Sequence, residues 1–432
     1  MKKLHVLALV VALVVPATSC QPVKNISESA EVLADPNKAG GIYYAYPVSD
    51  VQAETAPPRG YKPFYLSHYG RHGSRYLTDS GRYTMVRDFF EDQAAAGNLT
   101  SEGLGLLEKL RVLCAETEGK AAQLSSIGER QHADIARRAA QRYPEIFTGA
   151  DSVRAVSSVK ERCIASMDAF CDALAGCFPD LLISRDSSPE NMSYIAYTSP
   201  TAEEMGSEKS SFWAGEFRQF EKENIHPERL MKALFKDSSG IPGMLIFDGL
   251  YWIAEGQQDI PSDIDFLCYF TPEELFGKWR TVNYRMYLSN CNAPLTGSAG
   301  PRSAASLLRH ILDDAQNALK TGSVAADLRF GHDTNLIRLL ALMGVEGCAA
   351  SQSDPELFWT SWQDWKVSPM AANLQIVFYE NGRKPVLAKM LLNEKEVCLE
   401  EGPSPAKGPY YRWTDLYEYL LSIFVTSQVP SR

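Results

Sequence analysis

Short apolar runs and longer stretches with helical spacing alternate along much of this chain. Four runs have the length and the β-branched or aromatic content typical of buried strands, namely 62–67, 152–157, 181–184 and 327–331. Three of these runs end beside a small polar cluster that opens into a turn or a helical pattern. Strands that alternate with helices are typical of a sheet covered by helices, so the pattern predicts an α/β fold class.

Helical periodicity is clearest at 129–142, where Ile135 and Ala139 share one apolar face and Pro144 ends the pattern. The S-x-x-E pattern at 158–161 has the form of a capping box, and it predicts a helix with Arg162 in its first turn. Further helices are predicted at 83–93, 102–113, 302–320, 336–343 and 415–424, and an antiparallel hairpin at 372–379 and 385–392.

Two stretches without strand signals, 81–123 and 186–298, interrupt the α/β pattern. We expect them to form a mostly helical inserted domain. The α/β domain is then discontinuous and consists of 61–80, 124–185 and 299–432. Such an insertion leaves the strands of one sheet far apart in sequence.

Residues 1–20 have the layout of an export signal. Two lysines precede the apolar stretch Leu4–Val15, which is too short to span a bilayer, and small residues follow. Cys20 completes a loose bacterial lipoprotein box and is a predicted lipidation site, with free secretion as the alternative. We therefore expect an exported protein, in the periplasm or at the outer membrane, that contacts a membrane only through this anchor. The polar residues 21–60 predict a tether that leads into the fold.

Composition excludes some classes of function. The net charge of −10 argues against a general nucleic-acid binder, so a local cluster of cations must hold any anionic substrate. Eight cysteines remain besides Cys20, and export permits disulfides whose pairing the sequence leaves open. No Cys/His spacing suggests a zinc site, and we expect neither a metal nor a cofactor.

The strongest chemical signal is the motif R-H-G-S-R at Arg71–Arg75, directly after the first predicted strand. The guanidinium groups of Arg71 and Arg75 are planar forks that match phosphate oxygens in a bidentate way. His72 between them can attack phosphorus. A solvated loop with a structural histidine is the alternative that the motif alone leaves open.

Arg162 and the pair His332–Asp333 lie in the same context, where a strand ends and a helix begins. Ligands of α/β sheets bind at the carboxyl ends of strands, so we expect these clusters to converge into a phosphate pocket. The arginines and His332 would bind the non-bridging oxygens, and His72 would attack in line. Asp333 would protonate the leaving oxygen, and this chemistry predicts an acidic pH optimum.

The combination of R-H-G-S-R with G-H-D-T-N at Gly331–Asn335 resembles the histidine acid phosphatase family, branch 2 of the histidine phosphatase superfamily. The segments 124–131 and 157–163 resemble those of multiple inositol-polyphosphate phosphatases. The resemblance implies a phosphoglycerate-mutase-like three-layer α/β/α domain with a helical insertion. It also implies a nucleophile at His72, phosphate-binding residues Arg71, Arg75, Arg162 and His332, and Asp333 as the acid.

Two positions depart from the family pattern. Leu77 stands where the family usually has proline after the motif, and His332–Thr334 reads H-D-T where the inositol-polyphosphate branch usually has H-A-E. H-D-T is the form of bacterial phytases and acid phosphatases.

We therefore predict a phosphomonoesterase that acts on a small phosphorylated substrate, with inositol polyphosphates such as phytate favoured. The alternatives are a broad-specificity or sugar-phosphate acid phosphatase, a phosphoglycerate-mutase-like transferase, and a ligand-binding surface lipoprotein without catalysis. Cations of the insertion would read further phosphates of a polyphosphate, and the candidates are Arg82, Lys209, Lys278 and Arg285.

Overall fold

In the computed structural model, which describes residues 31–47, 54–149, 152–209 and 211–426, one mixed sheet organises the fold. Its strand order is β3-β2-β4-β1-β5-β6-β7, with β8 also paired to β6. Strands β3, β2, β4 and β1 are parallel, and β5 and the strands after it are antiparallel. The strands are β1 Lys62–Arg71, β2 Ser152–Ser157, β3 Leu182–Asp186, β4 Val324–Gly331, β5 Asn373–Glu380, β6 Leu387–Leu392, β7 Lys395–Val397 and β8 Tyr410–Arg412.

Helices account for most of the remaining described chain. They are α1 Gly81–Ala95, α2 Ser101–Thr117, α3 Ser126–Arg142, α4 Pro144–Gly149, α5 Glu161–Cys177, α6 Met192–Ile195, α7 Pro200–Gly206, α8 Ala214–Asn224, α9 Glu228–Leu234, α10 Gly243–Gly256, α11 Pro272–Asn290, α12 Ala299–Arg302, α13 Ala305–Thr321, α14 Asp333–Met343, α15 Asp364–Val367 and α16 Trp413–Thr426. Short 3-10 helices include Pro36–Tyr43 and Gln257–Asp259.

Side chains alternate between the two faces of β1, and each face has its own apolar layer. Leu66 packs with Ile135 of α3 and Phe170 of α5, whereas Tyr65 belongs to the layer that contains Leu308 of α13. The sheet is therefore the middle layer between helices on both faces. This arrangement confirms the predicted three-layer α/β/α fold class.

The predicted strands are present, and three local predictions differ from the structure in detail. Strand β1 continues to Arg71, so the first arginine of the motif is a strand residue rather than a turn residue. The predicted capping box is wrong, because α5 begins at Glu161 with Lys160 as its N-cap and without a side-chain cap bond. The predicted helix 302–320 is α13, which begins at Ala305 rather than at Arg302, the last residue of α12.

The two stretches predicted as an insertion contact each other through backbone hydrogen bonds. The amide of Thr100 donates to the carbonyl of Leu234 at 3.0 Å, and the amide of Lys236 donates to that of Asn98 at 2.7 Å. These bonds join 81–123 to 186–298, while the boundaries between the domains stay a prediction.

All eight cysteines from Cys114 onward are free thiols. Within the described ranges, no helix has the length and apolarity needed to cross a membrane.

Candidate active site

The register of three parallel strands brings the polar clusters together. Arg71 of β1 pairs with Gly331 of β4, and Ser157 of β2 pairs with Phe330. Because β4 lies between β2 and β1, their carboxyl ends lie side by side at one edge of the sheet. The motif loop, the start of α5 and the start of α14 therefore meet there, as the sequence predicted.

Arg71 is fully buried, and among the described residues only one of its three guanidinium nitrogens has hydrogen-bond partners. Nη1 donates to the carbonyl of Ile42 and, at 2.8 Å, to that of Ser368. Nη2 lies 3.6 Å from Oδ2 of Asp333. Neither Nε nor Nη2 has a hydrogen-bond partner among the described residues, so the three N–H bonds of these two nitrogens are left for a ligand.

His72 is held at the start of the loop by its own backbone. Its amide donates to the carbonyl of Gly331 at 3.0 Å, and its carbonyl accepts from the amide of Ala371 at 3.0 Å. Nδ1 lies 2.9 Å from the carbonyl oxygen of Gly73. A carbonyl only accepts, so Nδ1 carries the proton in the neutral ring and Nε2 keeps the lone pair of a nucleophile.

The charge state of His72 follows from its surroundings. Burial, and after it the positive charges of Arg71, Arg75 and Arg162 and of His332, hold the pKa of His72 well below the ordinary value of 6.5. The imidazole is therefore neutral through the mildly acidic range in which a phosphohistidine mechanism needs its lone pair.

Arg75 packs on an aromatic side chain that the sequence did not single out. Its Nη2 donates to the hydroxyl of Tyr43 at 3.2 Å, and its guanidinium carbon lies 5.0 Å from the centroid of the Tyr43 ring. Nη1 donates to the carbonyl of Tyr76 at 2.9 Å. Nε is buried without a partner in the described part of the chain. Tyr43 comes from the 3-10 helix of the segment predicted as a tether, and no local signal marks it.

Arg162 lies in the first turn of α5 and is tied to the motif loop. The hydroxyl of Ser166 donates to the carbonyl of Arg162 at 2.7 Å and accepts from the amide of Gly73 at 3.1 Å. Burial lowers the pKa of Arg162, and its Nε has no partner among the residues described. The structure thus brings Arg162 to the same pocket as His72.

His332 lies at the N-cap of α14, and its ring centroid is 5.9 Å from that of His72. Its Nε2 is 3.1 Å from the hydroxyl of Ser158, and its amide donates to the hydroxyl of Tyr69 at 3.2 Å. Burial lowers the pKa of His332 to about 4, although Asp333 acts in the opposite direction. Ser158 was interpreted as a helix cap, but its hydroxyl faces this imidazole instead.

Asp333 is the first residue of α14. Burial raises its pKa, but Arg71 and His332 outweigh burial, so the net direction is below the ordinary value of 3.8. Without a ligand the carboxylate is therefore ionised. An anion bound to Arg71 would remove that stabilisation and favour the protonated acid.

The loop that carries Arg71, His72 and Arg75 departs from the family at its end. Leu77 is 1 % exposed, and its amide donates to the hydroxyl of Tyr83 at 3.0 Å. Proline has no amide hydrogen and could not make this bond. The departure therefore changes how the loop is anchored.

Buried N–H groups without partners are rare in proteins, and here three arginines present them to one pocket. Such a cluster is suited to binding an anion, and phosphate oxygens match the planar fork of each guanidinium group. Over the residues that the structure describes, no group of three or more His, Cys, Asp or Glu could hold a metal ion.

Comparisons with known proteins identify the fold. The structure is similar to that of the multiple inositol polyphosphate phosphatase of Bifidobacterium longum in complex with inositol hexasulfate, with TM-score 0.70 and 18% identity over 89% of this chain and 97% of that chain. It is also similar to the phytase of D. castellii, with TM-score 0.66 and 14% identity over 90% and 85% of the two chains. At these identities the likeness shows the fold. A search of curated proteins gave no match.

A family profile covers most of the chain. The profile of the histidine phosphatase superfamily (branch 2) matches residues 70–393, which include both the R-H-G-S-R motif and His332–Asp333. The resemblance that these motifs predicted is confirmed, and the chain belongs to the histidine phosphatase superfamily, branch 2.

Proposed function

We propose that this protein is a phosphomonoester hydrolase that works through a phosphohistidine intermediate at acidic pH. The observation that carries the proposal is the set of unpartnered, buried N–H groups of Arg71, Arg75 and Arg162 around the neutral ring of His72. Three cations in a buried pocket need a multiply charged anion, and the nucleophile lies beside it.

The reaction follows from the positions of the proton-bearing groups. Nε2 of His72 attacks phosphorus in line, and the bond to the leaving oxygen breaks as that oxygen takes the proton of Asp333. Water then attacks the phosphohistidine, its proton passes to the Asp333 carboxylate, and inorganic phosphate and neutral His72 are regenerated. The substrate's own charge on Arg71 raises the pKa of Asp333 and so prepares the acid.

His72→Ala tests this proposal with p-nitrophenyl phosphate, glucose phosphates and phytate as substrates. We expect the variant to lose hydrolysis of all of them and to lose the acid-labile radioactive label that the wild type acquires from a 32P-phosphoester after rapid quenching. A wild-type protein that hydrolyses none of the three, or a His72→Ala variant that keeps its activity, would exclude the phosphatase function and favour a ligand-binding protein.

Inositol polyphosphates are the substrate class that we favour, because an uncommitted cation lies next to the pocket. Arg82 is exposed at the start of α1, and its guanidinium carbon lies 5.6 Å from the ring centroid of Trp252. Trp252 contacts Tyr43 at 5.4 Å between ring centroids, and Tyr43 supports Arg75. A continuous wall of aromatic rings and cations therefore connects the reacting phosphate with Arg82.

Two of the other candidate cations of the insertion are less suited to this role. Lys278 is buried and paired with Asp248 at 2.9 Å, and Arg285 lies 3.4 Å from Glu208. Arg82 has no ion pair among the described residues, so it can bind a second phosphate without giving up a carboxylate partner.

Arg82→Gln separates the two substrate classes. We expect kcat/KM for phytate to fall about 5-fold to 150-fold, the range that corresponds to typical free energies of coupling between two binding sites. The value of kcat/KM for p-nitrophenyl phosphate should stay unchanged. Arg87→Gln is the matched control, since it removes the same charge from the same helix at a residue already paired with Asp88. Equal losses for both substrates would favour a broad-specificity acid phosphatase.

Export and lipidation at Cys20 remain proposals, because residues 1–30 lie outside the described part of the chain. Metabolic labelling of cells with palmitate tests them. We expect label in the wild type and none in Cys20→Ala, and labelled protein in the membrane fraction; an unlabelled wild type in the periplasm would favour free secretion.

A further inference from the structure

Ser74, the residue between the glycine and the second arginine of the motif, has no solvent-exposed surface, and hydrogen bonds fix its side chain. It is fully buried, and its hydroxyl donates to Oδ1 of Asp259 at 2.6 Å. The side-chain amide of Gln131 donates to the same hydroxyl at 2.9 Å, and its carbonyl oxygen accepts from the amide of Ser74 at 2.9 Å. Because Gln131 occupies the acceptor side, the hydroxyl hydrogen points at Asp259.

Asp259 reaches the loop from the 3-10 helix that follows α10, far away in sequence. Its side chain is fully buried, and Oδ2 has no hydrogen-bond partner in the described structure. The hydroxyl of Ser125 also donates to its main-chain oxygen, at 2.5 Å, and to that of Ser74, at 3.1 Å. The loop and the Asp259 turn are therefore locked together.

Among the residues that the structure describes, four ionisable groups interact electrostatically with this carboxyl group. They are Arg71 and Arg75 from the motif, Glu255 from the last turn of α10, and Tyr83 from α1. Asp259 thus lies within electrostatic reach of the two arginines that we propose bind phosphate. It has no place in the phosphoryl-transfer steps, which Asp333 and His72 already account for.

We propose that Asp259 is a positioning residue that fixes the motif loop through Ser74 and, by its charge, sets how strongly Arg71 and Arg75 bind a phosphate. The inference rests on the proposed phosphatase function. An ionised Asp259 competes with the ligand for the same two cations, whereas a protonated Asp259 leaves their charge to the ligand.

The pocket therefore binds anions more tightly at acidic pH. Burial raises the pKa of Asp259 to about 7, against the lowering effects of the Ser74 hydroxyl, Arg75 and Arg71. Since the carboxyl group changes charge near neutrality, an anion that enters the pocket at that pH draws a proton onto Asp259. Protonation of the buried Asp259 would then strengthen phosphate binding in the acidic range in which the enzyme is proposed to work.

Sulfate is a suitable probe, because its charge stays constant from about pH 5.5 to about pH 8.5. Isothermal titration in buffers of different ionisation enthalpy gives both the affinity and the number of protons taken up. For the wild type we expect sulfate affinity to fall roughly fivefold or more across this range, with proton uptake near pH 7. In Asp259→Asn, which keeps an oxygen for the Ser74 hydroxyl, we expect the change in affinity and the proton uptake near pH 7 to be lost, while uptake by Asp333 at the acidic end of the range remains.

Two further variants separate positioning from folding. Asp364→Asn removes another fully buried carboxyl group, one without Arg71 or Arg75 as a partner, and should keep the wild-type sulfate profile. Ser74→Ala should lower kcat/KM for p-nitrophenyl phosphate while the pH dependence of sulfate binding persists, because the charge of Asp259 remains.

The inference is overturned if Asp259→Asn keeps the pH dependence near pH 7 or if Asp364→Asn loses it. It is also overturned if wild-type sulfate affinity is constant over the range, a result that needs no variant to fold. A wild-type protein that neither binds sulfate nor hydrolyses any phosphoester would instead refute the proposed function.

Discussion

Nη2 of Arg71 lies 3.6 Å from Oδ2 of Asp333, so a phosphate-binding cation and the proposed acid form an ion pair when the pocket holds no ligand. The pair keeps Asp333 ionised, together with His332. A phosphoester that takes over Arg71 breaks this stabilisation. When Arg71 exchanges the Asp333 carboxylate for the substrate phosphate, Asp333 more readily takes up the proton that the leaving group needs.

Asp333→Asn should slow the hydrolysis of substrates whose leaving group needs a proton more than the hydrolysis of substrates whose leaving group does not. For alkyl phosphates such as glucose phosphates, we expect kcat to fall about 100-fold to 10,000-fold, because their alkoxide leaves poorly without a proton. For p-nitrophenyl phosphate, whose phenolate leaves unaided, the loss should be much smaller. Equal losses for the two substrates would remove Asp333 from the role of acid.

The low pKa of His72 predicts the acidic side of the pH profile. Because kcat/KM reports the free enzyme, its acidic limb, corrected for the substrate's own ionisation, should lie well below pH 6.5. Arg162→Gln removes one of the charges that lower the pKa, so the limb should move upward. An acidic limb near 6.5 in the wild type would contradict the neutral imidazole.

Glycines on the motif loop and on α3 allow the two backbones to touch. A Cβ at Gly73 would lie 2.6 Å from the carbonyl oxygen of Gly128, and a Cβ at Gly128 would lie 2.8 Å from the amide nitrogen of Ser74. Backbone atoms cannot move aside cheaply, so we expect Gly128→Ala to cost about 1–3 kcal/mol of unfolding free energy and most of the activity.

The matched substitution for Gly128→Ala is Gly105→Ala in α2. A Cβ there meets nothing within 4 Å, so alanine should stabilise the helix by about 0.5–1 kcal/mol. Urea denaturation monitored by circular dichroism measures both variants. A Gly128→Ala protein as stable and active as the wild type would show that the close approach is dispensable.

The convergence of the site could be predicted, because each polar cluster directly follows a strand-like run. Parallel pairing then places Arg71 beside Gly331, and so His72 beside His332, whatever the length of chain between them. The local sequence therefore predicts both the reactive side chains and the edge of the sheet at which they meet.

Residues that reach the site by long-range packing could not be predicted. Tyr43 comes from a polar segment without periodicity, and Asp259 from a turn of the helical insertion, yet they contact Arg75 and Ser74. Ser158 misled in a different way. Its spacing to Glu161 fits a capping box, but α5 begins two residues later than the box requires, and the hydroxyl is left to face His332.

Asp364 makes stability, rather than activity, depend on pH. Its Oδ1 accepts from the indole of Trp279 at 3.0 Å and from the amide of Trp365 at 2.9 Å, while burial raises its pKa to about 6. The folded protein therefore holds a proton that the unfolded chain releases near 3.8. The stabilisation is present below that pH and is lost as the pH rises through about 6, a difference of about 3 kcal/mol.

Asp364→Asn keeps the acceptor oxygen and removes the titration. The unfolding free energy of the variant minus that of the wild type should be about 2.5 kcal/mol larger at pH 7 than at pH 4, because the wild type is less stable at pH 7 and the variant is not; urea denaturation at both pH values measures the difference. Asp313→Asn, at an exposed site, controls for the amide itself and should show no such difference. If the gap between Asp364→Asn and the wild type is the same at both pH values, the buried carboxyl group does not hold its proton in the folded state.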